Sequence, residues 1–183
     1  PKNYNGFKIV LNQNSFFGED IKKLGNFASK GYSKTYNGFS KSVEINCKYI
    51  NEISNPLKNN NGELHKKTIV WDCGNGASGP VVEMLTTKIP GKHVVLYSKV
   101  DGNFPNHHPD PTDKSTLKIL INKMKEVNAE LGIAFDGDGD RIGVVDKQGR
   151  GIPGDLLTAF LANSITTNDK ENQTIILDIK SSY

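Results

Sequence analysis

The chain is poor in cysteine, methionine and tryptophan: two, two and one among 183 residues. Two cysteines far apart, Cys47 and Cys73, exclude a small disulfide-stapled scaffold. They fit free buried thiols in a reducing compartment, so a cytoplasmic location is expected. No apolar run approaches the roughly 20 residues that cross a bilayer. Charge of one sign is also lacking: 23 basic residues face 20 acidic ones, a net of +3. That balance makes no general case for nucleic acid or a membrane surface as partner. The N-terminus, Pro1-Lys2-Asn3-Tyr4-Asn5, has neither a leading methionine nor the apolar core of a signal peptide. A chain that opens on proline and soon enters a strand-like run is expected to begin inside a longer protein. Hydrophobic content of 36% is low for a globular domain but above the disordered range. The length allows one large domain, or a small domain plus a fragment.

What the chain does have is the run Asp136-Gly137-Asp138-Gly139-Asp140-Arg141. Side chains at i, i+2 and i+4 of an extended loop point the same way, so the three carboxylates are expected to converge. Converging like charges repel unless a cation lies between them. Oxygen-only ligands favour a hard cation, Mg²⁺ before Mn²⁺ or Ca²⁺. Arg141 suits a phosphate contact better than a metal. An EF-hand loop also begins D-x-D-x-D, but its glycine position would fall on Arg141 and its closing glutamate on Lys147. The flanks read as strands, not helices.

The coarse pattern is α/β. Phe7–Leu11 reads as a strand, and Phe17, Ile21, Leu24 and Ala28 mark a helix that Ser15 could cap. Residues 31–40 read as a linker, 43–53 as a helix and Asn59–Gly62 as a turn. From Thr68 onward the order is strand 68–72, a helix after Pro80, strand 93–97 and a loop over 101–112. Next come a helix through Leu117, Leu120, Ile121, Met124 and Val127 capped by Thr112 or Asp113, and strands 131–135 and 142–146. A helix capped by Asp155 and a strand over 174–179 close the chain. This order predicts a mostly parallel or mixed sheet flanked by helices. Sites in such sheets gather at the carboxyl ends of strands, where the aspartate loop falls.

Two weaker signals are set aside. Gly74-x-Gly76-x-x-Gly79 matches a dinucleotide fingerprint in its strand-to-helix context. Pro80, however, removes a backbone N–H that a pyrophosphate would use, so a tight turn and close packing is the favoured reading. His107 and His108 with Asp101 and Asp110 could suggest a second metal. Adjacent histidines tend to point apart, which favours a polar loop pinned by Pro105, Pro109 and Pro111.

The segments N-Y-N-G-F-K (3–8), V-W-D-C-G-N-G (70–76), V-D-G-N-F-P-N-H-H-P-D-P-T (100–112), A-F-D-G-D-G-D-R-I-G-V-V (134–145) and I-I-L-D-I-K (175–180) resemble the α-D-phosphohexomutases. Within them the phosphomannomutase/phosphoglucomutase group is closest in pattern. The resemblance implies the end of domain one over residues 1–40, incomplete, and domain two over 41–183. The phosphoserine loop would precede Pro1, and the remaining domains of the same polypeptide would follow. It implies Mg²⁺ on Asp136, Asp138 and Asp140, with Arg141 at the transferring phosphate. Lys8 matches a family lysine near the reacting oxygen, so Lys8 and Arg141 are the candidate catalytic residues. The implied substrate is a hexose phosphate, the implied reaction exchange between 1- and 6-phosphate through a bisphosphate. A sugar-phosphate phosphatase and a non-catalytic binding domain are the rival readings, and the fragment alone is expected to be inactive.

Overall fold

In a computed structural model, which describes residues 6–31, 38–57, 62–166, 174–179 and 181, the chain divides into two units, Pro1–Glu44 and Ile45–Tyr183. The first unit begins with a hairpin of β1 (Ile9–Leu11) and β2 (Asn14–Phe16). Asn12 and Gln13, both at positive φ, make the two-residue turn, a conformation that matches strand twist. No glycine marks that turn, which is why the sequence suggests a strand alone. The helix α1 (Glu19–Ser29) follows the expected periodicity, but Gly18 precedes it, and Ser15 lies in β2 instead of capping it. Among the described residues of this unit none is buried, and Val10, Leu11, Phe17, Ile21 and Phe27 are exposed. Residues 32–37 of the expected linker lie outside the described residues.

The second unit opens with α2 (Asn46–Ser54), which passes into a 3₁₀ turn over Asn55–Leu57. Cys47 on this helix is exposed, correcting the expectation of two buried thiols; Cys73 is buried, and both are free. The expected turn at Asn59–Gly62 falls, up to residue 61, outside the described residues. Then come β3 (Thr68–Asp72), α3 (Gly79–Thr86), β4 (Lys92–Leu96), α4 (Leu117–Val127), β5 (Leu131–Phe135), β6 (Ile142–Asp146), β7 (Gly151–Ile152) and α5 (Gly154–Thr166). The sheet order is β4-β3-β5-β6-β7. β4, β3 and β5 are mutually parallel, while β6 and β7 add antiparallel pairs. The sheet is therefore mixed. The two-residue β7 is too short to leave a periodic signal.

β3 is covered on both faces, so four of its five residues are buried and the strand reads as a continuous apolar run. Val70 faces α4 in a cluster with Leu117, Leu120, Met124, Ala134 and Val145. Ile69 and Trp71 face the other way, with Val82 and Leu85 of α3 and Ile133 of β5. Trp71 stacks on Phe135 at 6.4 Å. The stripe on α4 is the one the sequence shows. Its start is not, because Thr116 precedes the helix without a side-chain cap. The Thr116 hydroxyl instead donates to the carbonyls of Asp110 and Asp113. Asn128 ends α4 in the left-handed conformation, a common helix stop. Residues 174–179, expected as a strand, pair with no strand among the described residues and are exposed. An apolar β-branched run becomes a strand only beside a hydrogen-bonding neighbour. No helix among the described residues is long and apolar enough to cross a membrane.

Leu120 is fully buried between α4 and the sheet. Leu120→Ala is expected to cost about 2–5 kcal/mol. Denaturant unfolding should show a lower midpoint with an unchanged slope.

Candidate metal centre

β4 and β5 lie on opposite sides of β3, and α3 and α4 cover opposite faces of the sheet. Where strand order diverges in this way, a crevice opens at the carboxyl ends of the strands. Asp72 ends β3 beside that crevice, and residues 136–141 connect β5 to its antiparallel partner β6.

One carboxylate oxygen from each of Asp136, Asp138 and Asp140 lies within 4.8 Å of the others. The route to convergence differs from the extended loop that the spacing suggests. The Gly139 N–H donates to the Asp136 carbonyl and the Asp136 N–H to the Arg141 carbonyl. Gly139 sits at φ +77°, so the run curls into a closed turn. Asp136 is buried, while Asp138 and Asp140 are exposed. Asp136 Oδ1 accepts the Arg141 backbone N–H at 3.0 Å, and Oδ2 accepts Arg141 Nε at 2.8 Å. Burial pushes the Asp136 carboxyl up, but the Arg141 backbone and guanidinium bonds outweigh it and hold the carboxyl below its ordinary value. Asp136 is thus ionised and oriented. The all-oxygen donor set suits a hard cation, and the three oxygens are close enough to share one.

The glycine turn after β3 lies directly beneath this loop. The Ala77 N–H donates to the Gly137 carbonyl at 2.9 Å. A Cβ on Gly76 would come within 2.7 Å of the same oxygen. A Cβ on Gly79 would overlap the Ser98 carbonyl. The N–H groups of Gly74, Asn75, Gly76, Ala77 and Gly79 all have partners inside the protein. A pyrophosphate would find none of these five donors free, which weighs against the dinucleotide reading. The fingerprint is a packing device here.

Residues 47–150 match the phosphoglucomutase/phosphomannomutase family, alpha/beta/alpha domain II. The chain belongs to that family. The phosphomannomutase/phosphoglucomutase of Pseudomonas syringae pv. tomato is 39% identical over 98% of this chain and 38% of its own length. A phosphoglucomutase from Neisseria meningitidis serogroup B is 36% identical over 99% of the chain and 39% of its own. A phosphoglucomutase/phosphomannomutase family crystal structure from Burkholderia thailandensis superposes at a TM-score of 0.75 with 36% identity. It covers 89% of this chain and 35% of that one. The chain therefore spans somewhat over a third of the length of these relatives.

In this phosphoglucomutase/phosphomannomutase domain the four residues of the acidic loop come together, whereas Lys8 lies in the first unit, exposed and just ahead of β1. A further pair at the same crevice was not expected from the sequence. His107 Nε2 meets both oxygens of Asp72, at 2.9 and 3.1 Å, and its Nδ1 lies 2.9 Å from the His108 carbonyl. Both ring nitrogens face acceptors, so the imidazolium, with two donors, satisfies them. Tyr97 packs edge-on against the ring at 5.5 Å. The bond to Asp72 raises the His107 pKa; burial opposes it, and the His108 carbonyl adds to the rise. The signal that could have exposed the pair is Asp72 itself, since a carboxylate ending a buried apolar strand requires a partner. His108 is exposed, and among the described residues neither histidine joins a metal-ligating cluster.

Because folding raises the His107 pKa, its stabilising contribution is fully present below about 6.5, the unfolded value. It is lost as pH rises through the higher folded value. The melting-temperature gap between the native protein and His107→Asn should therefore be wide near pH 5.5 and narrow towards pH 9, as read by differential scanning fluorimetry.

Proposed function

We propose that the chain is part of a Mg²⁺-dependent phosphohexomutase that interconverts hexose 1-phosphate and hexose 6-phosphate, of mannose, glucose or both. The observation that carries this reading is the convergence of three carboxylates next to an arginine, in a member of this family. Asp136, Asp138 and Asp140 would hold the cation. When bound, Mg²⁺ supplies charge neutralisation at phosphoryl oxygens.

Phosphoryl transfer depends on positioning and charge more than on covalent help from the protein. A phosphoserine from another part of the polypeptide donates its phosphoryl group to the free hydroxyl of the sugar phosphate. The resulting bisphosphate turns over, and its other phosphoryl group returns to the serine. Arg141 contacts the phosphate through guanidinium donors beyond the Nε held by Asp136. Lys8 assists as a proton carrier or a positive charge near the reacting oxygen. Residues 1–40 belong to the incomplete domain one and 41–183 to domain two, and the cytoplasm is the proposed setting.

The test is carried out in the full-length protein. Asp136→Asn, Asp138→Asn and Asp140→Asn should each lower conversion of glucose 1-phosphate to glucose 6-phosphate by more than about 100-fold and weaken Mg²⁺ binding by calorimetry. Full activity in all three would refute the assignment. Release of inorganic phosphate instead of isomerised sugar phosphate would favour the phosphatase. The isolated 183-residue chain should show no turnover, checked by the same coupled assay.

A further inference from the structure

Arg141 stands among three carboxylates. Its Nε bonds Asp136 Oδ2 at 2.8 Å and lies 3.8 Å from Asp140 Oδ1; its Nη1 lies 3.6 Å from Asp110 Oδ1. Asp136 and Asp140 belong to the acidic loop itself. Asp110 comes from the separate loop between β4 and α4.

That loop is fixed independently of Arg141. Asp110 Oδ1 accepts from the Thr112 N–H and hydroxyl at 3.0 and 2.7 Å. The Asp110 carbonyl accepts from Thr116 Oγ1 at 2.6 Å, and its N–H donates to the His108 carbonyl at 2.9 Å. Pro109 and Pro111 are buried on either side. A Cβ on Gly74 would come within 2.8 Å of Pro109, and one on Gly143 within 2.7 Å of Pro111. Asn106 Nδ2 donates to Asn75 Oδ1 at 2.8 Å, and the His107–Asp72 pair ties the loop to the end of β3.

A guanidinium held at Nε alone can swing with its long side chain. A second negative charge at Nη1, carried by a fixed loop, opposes that motion. We infer that Asp110 is a positioning residue that sets the plane of the Arg141 guanidinium towards a phosphate, with the His107–Asp72 pair mooring the loop that carries it. The inference rests on the reading of Arg141 as a phosphate contact.

Asp110→Asn is a suitable probe. Asparagine keeps an oxygen to accept from Thr112, so the turn survives, while the charge facing Arg141 is removed. The experiment is a double-mutant cycle in the full-length protein, with glucose 1-phosphate and Mg²⁺. Asp110→Asn should lower kcat/KM about tenfold, within the range of direct couplings. In an Arg141→Gln background the same change should have less than about a twofold effect. Asp110→Ser, whose hydroxyl can also accept from the Thr112 N–H, repeats the cycle with a second side chain. If the losses multiply independently in both cycles, Asp110 does not act through Arg141 and the inference falls. If Asp110→Asn and Asp110→Ser leave kcat/KM unchanged while Arg141→Gln lowers it, the inference falls and the reading of Arg141 stands. If Arg141→Gln itself changes nothing, both fall together.

Discussion

The acidic loop depends on a backbone approach that only glycine permits. Gly76 passes beneath residues 136 and 137 so closely that a single Cβ would strike the Gly137 carbonyl. The adjoining Ala77 N–H makes its bond to that same carbonyl. Through this contact the end of β3 supports the turn after β5, and three aspartates acquire a common direction. A loop held only at its strand ends would be free to relieve its charge by splaying. Here that escape is closed from below, and Asp136 is further held by Arg141 through both of its carboxylate oxygens.

At the crevice each buried carboxylate is met by a basic side chain. Asp72 faces the His107 imidazolium, and Asp136 faces the Arg141 guanidinium. Each buried carboxylate thus has a cation, as burial demands. Asp138 and Asp140 stand at the exposed edge, with Asp140 Oδ1 3.8 Å from Arg141 Nε. The His107–Asp72 pair braces the crevice, whereas Asp136 and Arg141 both brace the acidic loop and form part of the candidate site.

The sequence shows the centre of the sheet better than its edges. β3, β5 and β6 fall at their expected bounds, because each is an apolar run closed by a charged or glycine residue. The α4 stripe is equally legible, since both helix and sheet face the same water-free layer. The β1–β2 turn was hidden because Asn12 and Gln13 adopt positive φ without a glycine to announce it. Neither expected cap bonds the first turn of α4, because Thr112 turns its hydroxyl to Asp110 and Asp113 Oδ1 accepts the Ser115 N–H ahead of the helix. Residues 174–178 carry strand-forming side chains but pair with no strand among the described residues. In the candidate site, the aspartates were visible as a local pattern with fixed spacing. The His107–Asp72 pair joins positions 35 residues apart, and no local pattern records such a contact.

The parallel strands give this domain a particular order of assembly. β3 pairs with β4, its neighbour in sequence, and with β5, which comes much later. The bond from the Thr68 N–H to the Glu130 carboxylate, at the start of those strands, spans 62 residues. During synthesis from the N-terminus, one edge of β3 therefore stays open until the whole of α4 and then β5 have emerged. An open apolar edge is a template for wrong pairing. Contacts this distant in sequence also slow folding. The acidic loop emerges right after the strand that closes this edge, so it can take its final shape only when the parallel core is complete.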